Sequence, residues 1–158
     1  MVERIAVNSS PLILLTEVGF LNFLQLVSEE VVVPTAVVTE IQQYGEIVRA
    51  IAQTDWLVVT EIPPAPEPIE SRNLGAGESA VLAWGYFNPG REVILDDLAA
   101  RRCAINLGIP VRGTVSLVII AKQRGEIPAA RPVLEGMRDC GLYLSDRLFY
   151  QTLTLVGE

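Results

Sequence analysis

Hydrophobic and polar positions along this chain alternate between two patterns. Short apolar runs rich in β-branched residues occur at Arg4 to Val7, Val31 to Val33, Trp56 to Thr60, Glu92 to Leu95 and Val111 to Arg112, and each predicts a strand. Between them, apolar residues recur at helical spacing over Leu12 to Val27, Thr35 to Gln53, Gly77 to Phe87, Leu98 to Leu107 and Val115 to Arg124. Strands that alternate with helices imply crossover connections, and therefore an α/β fold with a parallel sheet. Strands buried on both faces read as continuous apolar runs, as Val31-Val32-Val33 and Val93-Ile94-Leu95 do. After Gly125, two more helices are predicted, Ala129 to Cys140 and Asp146 to Val156, packing on the faces or edge of the sheet. The proline-rich segment Pro63 to Pro68 reads as an extended surface connector that cannot be helical. It divides the chain without dividing the fold, so residues 1–158 are expected to form a single domain.

Composition narrows the chemistry. The 158 residues are 50% hydrophobic and 20% charged, which excludes a disordered chain. At this length roughly 68–70% of the unfolded surface can be buried, enough for a substantial core. There is no histidine, so imidazole bases, Ser-His pairs and His-ligated zinc are all excluded. Two cysteines, Cys103 and Cys140, are too few for a disulfide framework and are expected to be reduced and largely buried. The amino terminus does not have the pattern of a secretory signal, and no apolar run approaches the ~18 residues of a membrane span. The expectation is a cytoplasmic protein with no membrane partner. Its net charge of −7, from 12 basic and 19 acidic side chains, argues against a broad basic surface for nucleic acid but leaves room for a local groove.

In an open α/β sheet, ligands bind beyond the carboxyl ends of the strands, so the polar residues that follow each strand carry the functional reading. Asn8-Ser9-Ser10-Pro11 follows the first strand. A serine cap with Pro11 in the first helical turn accounts for this segment locally but leaves Asn8 unexplained. In the next unit Glu40 lies among Val37, Val38 and Ile41, at the boundary of a buried stripe. A carboxylate that is partly buried needs a partner. The segment Gly75-Ala76-Gly77-Glu78-Ser79-Ala80 resembles a loose dinucleotide fingerprint, but it does not follow a strand, and the cofactor reading is rejected. Glu78 falls in a first helical turn, where the helix dipole favours negative charge. The fourth strand ends in Asp96-Asp97, one more carboxylate than a helix cap requires. The fifth ends in Arg112-Gly113-Thr114, where Thr114 could cap a helix or position a water.

Each position has a local explanation. Taken together, Asn8, Glu40, Glu78, Asp96 and Asp97 recur where the topology brings strand ends together. Clustered carboxylates oppose folding unless a cation joins them. Oxygen-only donors suit Mg²⁺ or Mn²⁺, and such a site suits metal-assisted phosphodiester hydrolysis. Eleven of the twelve cations are arginine, whose planar fork matches phosphate oxygens. Arg101 and Arg102 directly follow the acidic pair; ordinary surface salt bridging is the competing explanation for them.

The segments Val7 to Ile13, Val33 to Ile41, Gly75 to Ala80, Leu95 to Arg101 and Gly113-Thr114, with the tail Ala121 to Pro128, resemble the PIN-domain superfamily. Within it they resemble a prokaryotic branch related to the toxins of toxin–antitoxin pairs. The resemblance spans nearly the whole chain and implies a three-layer α/β/α fold with a parallel sheet of about five strands, and cleavage of RNA that depends on Mg²⁺ or Mn²⁺. By position it implies Glu40, Glu78 and Asp97 as acidic metal ligands and catalytic residues, with Asp96 adjacent. Asn8 stands where most PIN nucleases carry the first aspartate, and it is counted with the metal and catalytic residues. Ser9, Arg101 and Thr114 are the candidate substrate contacts. The resemblance also implies RNA as partner, a small antitoxin protein as inhibitor, and a homodimer. Two other classes compete with the ribonuclease. One is a PIN-like binding module weakened or made inert by the amide at position 8. The other is a phosphoacceptor receiver domain, which is disfavoured because the chain's one lysine, Lys122, sits within a helical segment rather than at a strand end.

Overall fold

Apolar strands with no polar face to hydrate pair most favourably inside a sheet covered by helices. The computed structural model describes residues 3–158 and contains such a sheet, with five strands, all parallel. These are β1 (Arg4–Val7), β2 (Glu30–Pro34), β3 (Leu57–Thr60), β4 (Val93–Ile94) and β5 (Val111–Arg112), in the order β3-β2-β1-β4-β5. Register sets Ile5 against Val31, Val31 against Leu57, Ala6 against Val93, and Val93 against Val111. β4 is shorter than the predicted Glu92 to Leu95, yet ladder bonds continue past both its ends, from Ala6 N to Glu92 O and from Leu95 N to Arg112 O.

Nine helices are present among the described residues. They are α1 (Ser9–Glu17), α2 (Thr35–Glu40), α3 (Gly45–Gln53), α4 (Glu67–Glu70), α5 (Ala76–Phe87), α6 (Leu98–Asn106), α7 (Thr114–Gln123), α8 (Arg131–Asp139) and α9 (Asp146–Leu155). α1, α7 and α8 pack together with a 3-10 segment at Leu21–Leu26, while α5 packs against α4, α6 and the central strands. The fold is therefore the three-layer α/β/α arrangement. No helix among the described residues is long and apolar enough to cross a membrane.

Four expectations need correction. The helix expected over Leu12 to Val27 breaks at Gly19, whose φ of +81° is a left-handed turn that glycine adopts without strain, and resumes as the 3-10 segment. The helix expected over Thr35 to Gln53 is two helices, α2 and α3. Ile41 and Ile47 are both buried, so the apolar spacing runs on through a turn at residues 41–44 that it cannot register. The proline-rich connector is not free of helix, because α4 begins at Glu67 with Pro68 in its first turn, where the missing N–H costs no hydrogen bond. Cys103 is buried, but Cys140 is exposed just past the buried stripe of α8 formed by Val133, Leu134 and Met137.

The carboxyl end of the chain closes the helical layer. The amino end of α8 has no local side-chain cap, and the Glu158 carboxylate accepts from Ala130 N at 2.6 Å and Arg131 N at 3.2 Å instead. These bonds, aided by Lys122, hold the Glu158 carboxyl below its ordinary value. The sheet order reverses between β1 and β4, since the chain proceeds outward from β1 to β2 and β3 and then returns to β4 and β5. That reversal opens a crevice beyond the carboxyl ends of β1 and β4, where α/β folds bind ligands.

Candidate functional site

Asn8 enters the crevice directly from β1. Its backbone N–H extends the β1–β4 pairing by donating to Ile94 O at 3.2 Å. It occupies the cap position of α1 yet makes no side-chain cap bond, so a serine is not the cap and the asparagine amide is directed elsewhere. Asn8 is only 6% exposed, and its Oδ1 has no hydrogen-bond partner. A buried amide oxygen left unpaired costs about 1–3 kcal/mol.

Glu40 is the last residue of α2 and, unlike the partly buried side chain expected, it is exposed. It nevertheless has partners on two other elements. Ser9 Oγ donates to Oε1 at 2.7 Å, and the Gly77 N–H donates to Oε2 at 3.2 Å. One carboxylate thus joins the starts of α1 and α5. Gly77 is where α5 comes closest to this group. A Cβ there would collide with the Glu40 carboxylate and lie 3.1 Å from Asn8 Oδ1. The glycines rejected as a cofactor motif therefore serve close approach to a carboxylate.

Glu78, in the first turn of α5, is partly buried and bonded to Asp97. Its carboxyl is pushed up to about 7, chiefly by burial, then by the charge of Asp97 and the bond the two share, and least by the charge of Glu40. Asp97 also caps α6, accepting from Ala100 N at 3.0 Å through Oδ2. Asp96 faces the other way. Its Oδ1 accepts the Thr114 N–H at 2.8 Å and its Oδ2 accepts the Thr114 hydroxyl at 2.6 Å. Thr114 is fully buried, so its side chain faces the interior and ties the start of α7 to the end of β4. The Arg101 guanidinium lies over Gly113 and makes a long 3.5 Å contact with Leu95 O.

A family model described as DUF3368, a PIN domain, matches residues 4–158. The chain belongs to the PIN-domain family. No curated protein shows a significant match to it. PIN domains are in general nucleases that bind nucleic acid and depend on a divalent metal ion. In this PIN domain Asn8, Ser9, Glu40 and Glu78 line one cleft of about 380 Å³. Asp97 adjoins it through its bond to Glu78. A larger cleft, about 620 Å³, opens among residues that precede the strands, including Glu3, Ser28 and Glu92. Its arginines are engaged, Arg112 with Glu92 at 2.8 Å and Arg124 with Leu26 O at 2.7 Å, and it contains none of the crevice carboxylates.

Among the described residues, no three Asp, Glu or Cys side chains lie close enough to hold a metal unaided. The donor chemistry still fits a hard cation. Glu78 and Asp97 form a carboxylate pair that resists double ionisation, and the oxygen of Asn8, which lines the same cleft as Glu78, lacks a donor. Mg²⁺ is bound through one or two carboxylates and keeps several waters, so two carboxylates and one amide oxygen are an adequate protein share. Sequence reasoning reached each of these three residues. It missed Gly77, whose signal was present but was read only as a discarded cofactor motif, and Tyr44 and Cys140, which join the same cleft from distant segments without any local signal.

Proposed function

We propose that this PIN domain is a metal-dependent ribonuclease whose site is centred on the contact between Glu78 and Asp97. The observation that carries the proposal is that paired carboxyl, pushed up to about 7, in a cleft also lined by Asn8, whose buried amide oxygen has no partner. Glu78, Asp97 and Asn8 would hold Mg²⁺ or Mn²⁺. Bound there, the ion would supply an activated water and offset charge on the phosphate oxygens. Glu40, fixed by Ser9 and Gly77, presents carboxylate oxygens that can orient the attacking water. Glu78 titrates near neutrality and is suited to holding or releasing a proton at its Oε atoms during turnover. Asp96 acts as a positioning residue through Thr114, holding the end of β4 in place, and Arg101 supplies positive charge at the rim. The likeness to toxin components extends the proposal to a cytoplasmic toxin that is dimeric and restrained by a small partner protein.

A second reading, a PIN module that binds RNA without cutting it, is favoured by Asn8. An amide keeps the oxygen ligand of the usual aspartate but removes one negative charge. Thermal unfolding with and without Mn²⁺ tests the metal site itself. Binding at about 100 times Kd stabilises by ~2.7 kcal/mol. For a domain of this size that is a rise of roughly 5–11 °C. Asp97→Asn is expected to abolish the rise while leaving α6 capped, because asparagine caps as well as aspartate. A wild-type chain indifferent to millimolar Mn²⁺ would remove the metal site from consideration.

A further inference from the structure

The carboxylate cleft has a mixed lining. Asn8, Ser9, Glu40 and Glu78 line it together with the apolar and aromatic side chains of Ile13, Leu14 and Tyr44. None of the residues lining it is lysine or arginine. Cations gripping the phosphate backbone therefore cannot supply affinity inside the cleft itself. Tyr44 is 37% exposed, and it also lines a second cleft of about 260 Å³ together with Thr16, Gly45 and Glu46. In that second cleft the Thr16 hydroxyl oxygen is buried and has no partner. The backbone that presents Tyr44 is well anchored. Its N–H donates to Ile41 O at 2.9 Å, and its carbonyl accepts from Ile47 N at 3.0 Å and Val48 N at 3.2 Å. An exposed aromatic ring on an anchored turn, shared by two clefts, has the properties of a stacking surface for a planar heterocycle.

We propose that Tyr44 is a stacking platform for an unpaired nucleobase of the strand that enters the carboxylate cleft. The inference rests on the nuclease reading above and adds to it a base-binding subsite. A base inside a duplex already has both faces stacked, so the platform selects single strands, and it tolerates sequence because every base presents a π-face.

Fluorescence anisotropy of a fluorescein-labelled single-stranded oligouridylate, titrated with the full chain in the presence of chelator, tests the subsite without consuming the strand. Tyr44→Ala is expected to raise Kd about 5- to 150-fold, the equivalent of one base–aromatic stack of ~1–3 kcal/mol. Tyr44→Phe should bind like the wild type because the ring remains, and Tyr44→Leu should weaken binding as alanine does. Melting temperatures of all three variants establish that they are folded. The same sequence annealed into a duplex should bind weakly and without dependence on residue 44. If the wild type binds and Tyr44→Ala or Tyr44→Leu binds equally well, the platform is overturned while Mn²⁺-dependent cleavage, assayed separately, still supports the nuclease reading. If the wild type neither binds nor cleaves the strand, both readings fall.

Discussion

Glu78 stores the tension of the site in a single carboxyl. With its pKa raised from 4.5 to about 7, the folded chain holds a proton that the unfolded chain has already released. Between those two values the folded state binds more protons than the unfolded one, so this group makes the metal-free protein less stable as pH rises. The loss is complete above about 7 and absent below 4.5. Glutamine mimics the protonated acid and can still donate to Asp97. In urea unfolding of the metal-free protein, Glu78→Gln should therefore exceed the wild type in stability at and above neutral pH, and the advantage should vanish toward pH 4.5. An advantage that is constant across that range would show that Glu78 is not held protonated by its surroundings. Metal affinity should run the opposite way and strengthen through neutrality, because a cation needs the deprotonated carboxylate.

α5 carries Glu78 into the crevice, and its seat against the sheet depends on a second close approach. A Cβ on Gly85 would lie 2.7 Å from Ile109 Cγ2 and 3.0 Å from Val93 Cγ1. Gly85→Ala gains about 1 kcal/mol of helix propensity, against an overpacking cost of roughly 1–3 kcal/mol. A net loss of stability, read by denaturant midpoint, is expected, whereas a more stable variant would mean that α5 can shift freely on β4. The elements were legible where physical chemistry repeats itself: Val31-Val32-Val33 and Val93-Ile94-Leu95 are apolar because they are covered on both faces. They were illegible where one apolar rhythm crosses a break, as between Ile41 and Ile47, since both sides of the turn feed the same core. The site was legible to the same extent. Asn8 and the Asp96-Asp97 pair stood out because they follow strands, Glu40 because its neighbours are apolar, and Glu78 because it falls in a first helical turn. The resemblance singled out Asp97 of the pair, but the contact that turns Asp96 toward Thr114, eighteen positions away, has no local signal in the sequence.

At the scale of the molecule, the reversal of strand order between β1 and β4 is what positions the proposed site. It also gives the charge of −7 a local meaning, since part of it surrounds a crevice where a bound cation would make phosphate welcome. Arg4, Arg112, Lys122 and Arg138 lie within 4.0 Å of Glu30, Glu92, Glu158 and Asp146 and form salt bridges with them. Arg101, in α6, reaches over Gly113 toward Leu95 O and sets a cation at the ends of β4 and β5. The central claim is that this crevice cuts RNA through a metal held by Glu78, Asp97 and Asn8. The most direct measurement is the rate of cleavage of a labelled single-stranded RNA in Mn²⁺ and in chelator, for wild type, Asn8→Asp and Asp97→Asn. The account predicts cleavage by the wild type that the chelator abolishes, a faster rate in Asn8→Asp as the missing negative charge is restored, and none in Asp97→Asn. Cleavage that survives chelation or Asp97→Asn, or its absence from both wild type and Asn8→Asp, would contradict it.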